Sequence, residues 1–218
     1  MNIYAAHKGF WTPERKKSLF AALMLVALAL MVHVSAGQYS SQRAALAAPE
    51  SDLFLDNLPI IDLGAITVFG ATLFWMLSFL LLSLRPRYVN FGLKAFALFI
   101  MFRAVFMNLT REGIYPGAFV PSPENTWYGF YHLFAYQGNL FFSAHTGFPF
   151  LMALVFWNEA FWRRLFLFAT VFFGGAVLLA HVHYSIDVFA APFIVYGVYV
   201  ITSKMFPNDY ALATGEER

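Results

Sequence analysis

The sequence predicts an all-α polytopic membrane protein with six transmembrane helices and both termini in the cytoplasm. The first observation is composition: 60% of the 218 residues are hydrophobic and only 12% are charged, whereas soluble domains carry about 25% charged residues. The second is the presence of six apolar stretches long enough to cross a bilayer, which takes ~17–25 residues. The third is the placement of lysine and arginine on alternate loops, which indicates orientation.

The six predicted spans are continuously apolar, so they favour helices over the alternating strands of a β-barrel. They cover residues 19–35, 63–84, 91–109, 139–157, 165–180 and 184–203. Two longer loops lie on the outer side, at 37–62 and 110–137. The second of these is rich in proline and aromatic residues, and we expect it to cover the protein at the level of the lipid headgroups.

Most basic residues fall on the side that is predicted to be cytoplasmic. They are Lys8, Arg15, Lys16, Lys17, Arg85, Arg87, Lys94, Arg163, Arg164 and Lys204, whereas the opposite loops hold Arg43 and Arg111. Residues 1–17 are therefore predicted to be a cytoplasmic N-terminal segment, 18–205 a six-helix membrane catalytic domain and 206–218 a cytoplasmic tail. The first span also resembles a cleavable signal peptide, although its removal would leave an odd number of spans.

Several classes of function are disfavoured by the composition. A scattered net charge of +2 does not indicate a nucleic-acid partner, and the absence of cysteine excludes disulfide and thiol chemistry. His181 and His183 point in different directions if they lie on a helix, so zinc is not expected, and no other cofactor is indicated. We expect His181 to lie at the membrane interface and Lys94 to extend its ammonium group towards the headgroups.

Three predicted helices place ionisable residues at one depth below the outer surface. Asp187 follows His183 by four residues, so its carboxylate can orient the imidazole on the same helical face. His145 lies at a similar depth in the fourth span, and Arg103 lies about six residues, or ~9 Å, inside the third. A lone histidine in a membrane helix is usually a hydrogen-bond partner between helices, but this grouping indicates a functional site.

The depth matches that of phospholipid phosphates, which suggests a role for each residue. Arg103 can neutralise a phosphate and donate a forked pair of hydrogen bonds. A neutral His183 that is held by Asp187 can attack phosphorus, and His145 can transfer protons as acid and base. Ser143 and Tyr184, which adjoin the two histidines, are further candidates for binding the phosphate. No cluster of carboxylates suits magnesium.

Two motifs resemble those of a known family. The stretch Gly138-Asn-Leu-Phe-Phe-Ser-Ala-His145-Thr146 and the stretch His183-Tyr-Ser-Ile-Asp187-Val are similar to the motifs of the sphingomyelin synthase branch of the type 2 phosphatidic acid phosphatase superfamily. Phe102-Arg103 resembles the arginine-bearing third span of that branch, and the region from Asp52 to Asp56 is more weakly similar to the segment before its second span. The likeness extends from about residue 50 to 205.

The resemblance implies a six-helix enzyme that transfers phosphocholine or phosphoethanolamine from a glycerophospholipid to ceramide, releasing diacylglycerol. It implies that His183 forms a phosphohistidine, with Asp187 as its partner and His145 as the acid and base. Two positions depart from the pattern: Ala144 replaces a glycine, and Asn139 replaces an aspartate, which puts the headgroup preference in doubt. The compact chain suggests a bacterial inner membrane with the site facing the periplasm, or a lumenal or extracellular site in a eukaryote.

The phosphatases of the same superfamily provide the main alternative. They carry a lysine that is separated by six residues from an Arg-Pro pair, and a Ser-Arg pair five residues before the second catalytic histidine. Here the Arg85-Pro86 pair is predicted on the opposite side, Ser78 stands at the lysine position, and Ala176-Val177 stand at the Ser-Arg position. A phosphodiester needs less positive charge than a monoester dianion, so transfer is favoured. A hydrolase of the phospholipase C type remains an alternative, and a transporter or scaffold fits less well.

Overall fold

The computed structural model describes residues 7–110, 112–119 and 141–216, and within them all regular secondary structure is helical. Most of the predicted aromatic cover at 110–137 and position 139 lie outside the described residues. The helices are α1 (Pro13–Ala44), a π-helical segment (Ala65–Gly70) that continues into α2 (Ala71–Ser83), α3 (Pro86–Leu109), α4 (Ala144–Val155), α5 (Ala160–Leu179), α6 (Ser185–Met205) and α7 (Pro207–Thr214).

Five helical stretches in the described part of the chain are long and apolar enough to cross a membrane. They are α1, the π-helical segment together with α2, α3, α5 and α6. Their outer faces expose large apolar side chains, such as Met31 at 62%, Val171 at 76% and Phe193 at 80%. Apolar surface on this scale is unfavourable in water and favourable against lipid. The predicted helical membrane protein is therefore confirmed at this level, by length and composition.

The fourth predicted span differs from the helix that the structure contains. We predicted a helix over 139–157, but α4 has only 12 residues, which span ~18 Å against a hydrocarbon core of about 30 Å. Its side chains are almost all buried, with Phe148, Leu151 and Met152 fully enclosed. A short helix inside the bundle is apolar because protein surrounds it, so apolarity alone overestimated its length.

Helix α3 runs through the centre of the bundle, between α1 on one side and α4 and α6 on the other. Its rings Phe96 and Phe99 pack against Phe148 of α4 and Phe142 just before it. At Gly147 of α4, a Cβ atom would lie only 2.9 Å from the Phe99 ring. Glycine thus permits the close approach of α4 to α3, two residues after His145.

The predicted C-terminal tail is a folded part of the domain in the described residues. Helix α7 brings Asp209 to Lys94 of α3, where the Lys94 Nζ lies 2.5 Å from the Asp209 Oδ2. Ser18 of α1 joins the same buried group by donating its hydroxyl to the Asp209 carboxylate. The expectation that Lys94 extends towards the headgroups was therefore wrong, because a carboxylate from the tail meets it inside the protein.

Candidate active site

The candidate site lies at one end of the bundle, where α3 ends and where α4 and α6 begin. Ser143 caps α4 by accepting from the Thr146 amide, and Tyr184 occupies the N-cap position of α6. The Ser143 amide donates to the Asp187 carbonyl at 3.1 Å. This bond ties the start of α4 to the first turn of α6, so the two histidine motifs meet in space.

His183 and Asp187 form a buried pair, as the spacing predicted. The His183 Nδ1 lies 2.9 Å from the Asp187 Oδ2, and both side chains are almost completely enclosed. His183 lies in the connection between α5 and α6, where burial and then the Arg103 charge lower its pKa to about 3. Because the Nδ1 bonds to Asp187, the neutral ring keeps its lone pair on Nε2, as a nucleophile requires.

His145 faces His183 from the first turn of α4. The two ring centroids lie 5.8 Å apart with the planes at 70°. The His145 Nε2 lies 2.9 Å from the Thr67 carbonyl oxygen in the π-helical segment. A carbonyl only accepts, so Nε2 carries the hydrogen and Nδ1 has the lone pair. That Nδ1 is buried and has no hydrogen-bond partner among residues 7–110, 112–119 and 141–216, so it can exchange a proton with a ligand.

Within the part of the chain that the structure describes, Arg103 supplies positive charge to the site. It is buried in α3, and its Nε donates to the Phe142 carbonyl at 3.0 Å, which places the guanidinium beside the start of α4. The first turns of α4 and α6 also point their positive ends towards this region. Together they form an environment suited to an anion, and a phosphate group is the anion that the two imidazoles can act on.

Sequence reasoning missed Glu112, which lies next to Asp187. The two carboxyl groups are within hydrogen-bonding reach, and burial, the Asp187 charge and this hydrogen bond raise the pKa of Glu112 to about 8. The Glu112 Oε2 is buried, and no donor group of the described residues reaches it. Two carboxyl groups can bond only if one holds a proton, so the pair shares a proton at neutral pH. Glu112 lies just beyond the end of α3, and no sequence spacing relates it to Asp187, so the sequence carried no signal for this contact.

Ser143 and Tyr184 adjoin the site, but their hydroxyls already have protein partners. The Ser143 hydroxyl accepts from the Thr146 amide, and the Tyr184 hydroxyl donates to the Gly113 carbonyl and accepts from the Glu50 amide. In this arrangement both residues shape the local backbone. Their predicted contact with a phosphate stays a prediction.

His181 was expected at the membrane interface, but the structure buries it. It is only 2% exposed, and the Tyr115 ring packs against it edge to face at 5.2 Å. Its φ of 53° lies in the left-handed region, which residues other than glycine rarely adopt. This backbone conformation turns the chain just after the end of α5, so that His183 lies in a connection and not on a continued helix.

No protein-family model matches this chain, and a search of curated proteins gives no match either. The site is therefore interpreted from its own geometry and from the two histidine motifs.

Proposed function

We propose that this chain is a membrane phospholipid headgroup phosphotransferase. It moves phosphocholine or phosphoethanolamine from a glycerophospholipid to ceramide or a similar lipid alcohol, and it releases diacylglycerol. One observation carries the proposal: His145 faces the buried pair of His183 and Asp187. The resemblance of the two histidine motifs to the sphingomyelin synthase branch supports the same reaction.

In the first half of the reaction, the Nε2 of His183 attacks the phosphorus of the donor lipid. A P–N bond forms, and the bond between phosphorus and the diacylglycerol oxygen breaks. Binding of the negatively charged substrate favours uptake of a proton by the Nδ1 of His145, and the departing oxygen takes this proton, which leaves His145 neutral. Asp187 stabilises the positive charge that develops on His183. The products are a phosphohistidine and diacylglycerol.

In the second half, the hydroxyl of the acceptor lipid gives its proton to the Nδ1 of His145. The hydroxyl oxygen attacks phosphorus, the P–N bond breaks, and neutral His183 is restored. His145 thus acts as acid in one half and as base in the other. Its hydrogen bond from Nε2 to the Thr67 carbonyl keeps Nδ1 as the nitrogen that exchanges the proton.

The positive charge near the histidines favours a phosphodiester over a monoester. A phosphodiester carries one negative charge, which the Arg103 guanidinium can balance with help from the starts of α4 and α6. A monoester dianion would need a second cation. The positions at which the phosphatases of that superfamily carry an additional lysine and arginine hold Ser78 and Val177 here.

The proposal includes a topology. The chain crosses the membrane six times, with α4 and its flanking residues as the fourth crossing, and both termini lie in the cytoplasm. The site then faces the periplasm of a bacterial inner membrane, or the lumenal or extracellular side in a eukaryote. The basic residues on the loops support this orientation, and a lipid donor and acceptor can reach such a site from the outer leaflet.

The test uses purified full-length protein in vesicles that contain phosphatidylcholine or phosphatidylethanolamine with a labelled headgroup, with and without ceramide. The proposal predicts a labelled sphingophospholipid and an equal amount of diacylglycerol when ceramide is present. Free phosphocholine or phosphoethanolamine in both samples would instead indicate a hydrolase of the phospholipase C type. Release of inorganic phosphate from phosphatidic acid, without headgroup transfer, would indicate a phosphatase.

A further inference from the structure

A segment on the outer side packs across the connection that carries His183. Residues 50–61, which we call the outer strap, are bound to this connection near both ends. The Glu50 amide donates to the Tyr184 hydroxyl at 3.1 Å, and the Ile61 amide donates to the Leu179 carbonyl at 2.9 Å. The strap therefore spans the region between the end of α5 and the start of α6.

Asp52 is the charged residue that joins the strap to α6. Its Oδ1 accepts from the amides of Phe54 and Leu55 at 2.9 and 3.1 Å, and its Oδ2 accepts from the Ser185 amide at 2.7 Å. Burial acts to raise the pKa of Asp52, but hydrogen bonds from Leu55, Ser185 and Phe54 outweigh it, so the pKa is lowered. The carboxylate is thus ionised and fully engaged at neutral pH.

The first turn of α6 depends on two carboxylates from different parts of the chain. The first amides of a helix have no partner within the helix and need external acceptors. The Tyr184 amide is bound by the Asp187 Oδ2 at 3.2 Å, which is the same atom that binds His183. The Ser185 amide is bound by Asp52. A shift of this turn would move Asp187 and with it the His183 ring.

We propose that Asp52 is a positioning residue for the His183–Asp187 pair. Its carboxylate fixes the first turn of α6, so that the Nε2 of His183 keeps the direction required for attack on phosphorus. The catalytic consequence depends on the proposed phosphotransfer, whereas the effect on the geometry of His183 does not. Asp52 itself does not contact the reacting atoms in this proposal.

Asp52→Asn is the informative substitution, because asparagine forms the same type of turn as aspartate but offers only one acceptor oxygen. Whichever way the amide is oriented, either the strap amides or the Ser185 amide faces an NH₂ group. Asp56→Asn is the matched control on the same strap. The Asp56 carboxylate accepts from the Asp52 amide and the Tyr115 hydroxyl, neither of which belongs to α6.

In the labelled-headgroup assay, Asp52→Asn should lower kcat about 10- to 100-fold, the range for loss of a group that orients a reacting residue. KM should change less than twofold, because substrate contacts remain. Asp56→Asn should stay within about threefold of wild type in both constants, since the Asp56 side chain is exposed and bonds to no residue of α6. Ser185→Ala removes only the hydroxyl that also bonds to Asp52 and keeps the amide bond. It should lower kcat by a smaller factor, and it gives a second test if Asp52→Asn folds poorly.

A second measurement separates this inference from the proposed function. In NMR spectra of ¹⁵N-histidine-labelled protein, the Nδ1 proton of His183 should give a signal characteristic of a hydrogen-bonded proton. This signal should weaken in Asp52→Asn and persist in Asp56→Asn. If wild type transfers no headgroup but this pattern holds, the phosphotransfer proposal fails and the positioning role of Asp52 stands. If Asp52→Asn matches Asp56→Asn in the His183 signal and in any activity, the positioning role is wrong.

Discussion

Glu112 and Asp187 bring two carboxyl groups within hydrogen-bonding reach of each other, beside the imidazole of His183. One residue follows the end of α3 and the other lies in the first turn of α6, so the pair links two helices at the candidate site. A proton shared by this pair leaves one negative charge to orient His183. A pair with two charges would repel and would disturb that orientation.

The carboxyl pair predicts a loss of activity in alkaline solution. With a pKa of about 8, Glu112 ionises as the pH rises through this value, and wild-type turnover should then decline by up to about tenfold per pH unit. Glu112→Gln keeps a permanent hydrogen-bond donor, so its pH–rate profile should lack this decline. Glu50→Gln, an exposed carboxyl on the outer strap, is the control and should retain the wild-type profile. A shared alkaline decline in all three proteins would contradict the assignment.

The same ionisation predicts how stability depends on pH. The pKa of Glu112 is raised from an ordinary value of 4.5 to about 8, so between these values the folded state holds a proton that the unfolded state releases. The Glu112 contribution to the free energy of unfolding therefore falls as the pH rises through this window. The temperature of thermal unfolding should fall more between pH 5 and pH 8.5 for wild type than for Glu112→Gln. An equal pH dependence in both would exclude a protonated Glu112.

His145 should act on proton transfer and not on substrate binding. His145→Ala removes the group that protonates the diacylglycerol oxygen, and turnover should fall about 10²- to 10⁴-fold with little change in KM. The leaving oxygen of a donor such as a nitrophenyl phosphodiester needs no proton. With this donor, His145→Ala should therefore slow the first half of the reaction far less. Equal losses with both donors would show that His145 has only a structural role.

Arg103 should contribute through charge and geometry together. Arg103→Gln removes the guanidinium beside the histidines, and kcat should fall about 10²- to 10³-fold, the cost of losing one donor to a developing negative charge. Arg103→Lys keeps the charge but not the fork or the bond to the Phe142 carbonyl, so it should recover only part of the activity. Arg163→Gln, whose side chain bonds to the Trp157 carbonyl on the surface, should leave turnover unchanged and serves as the control.

The buried group of Lys94, Asp209 and Ser18 should affect stability and not chemistry. Asp209→Asn leaves the Lys94 ammonium without its counter-charge in the bundle, and breaking such a pair costs about 3–5 kcal/mol. Thermal unfolding in detergent should therefore occur at a clearly lower temperature, while turnover per folded molecule stays near that of wild type. If the variant is as stable as wild type but turns over more slowly, α7 affects the candidate active site and not only stability.

Sequence predicted the features that depend on long apolar stretches and on fixed spacing. The end of the third span at Leu109 was predicted from apolarity, and α3 ends there. The pairing of His183 with Asp187 was predicted from their four-residue spacing on one helical face; the pair is present, but His183 lies just before α6 and not on it. The length of α4 was overestimated because protein, and not lipid, surrounds it. Apolarity reports removal from water in either case, so it cannot distinguish the two.

The other groups around the His183–Asp187 pair and His145 could not be predicted, because tertiary packing brings them in. Glu112 and Asp52 belong to loops, where a carboxyl group is ordinary and no spacing relates it to α6. The Thr67 carbonyl that binds His145 is a backbone group, which leaves no trace in the side-chain pattern. Lys94 was predicted to extend to the headgroups because nothing in the sequence indicated its pairing with Asp209, which lies in the short helix α7.

The most direct test of the account is to trap the phosphorylated enzyme. Full-length protein is mixed with phosphatidylcholine that is labelled in the phosphate, quenched in alkali without an acceptor lipid, digested and analysed by mass spectrometry. We predict an alkali-stable, acid-labile phosphocholine adduct on His183, which Asp187→Asn reduces and His183→Gln abolishes. Headgroup transfer that proceeds at the wild-type rate in His183→Gln, or an adduct on another residue, would contradict the account.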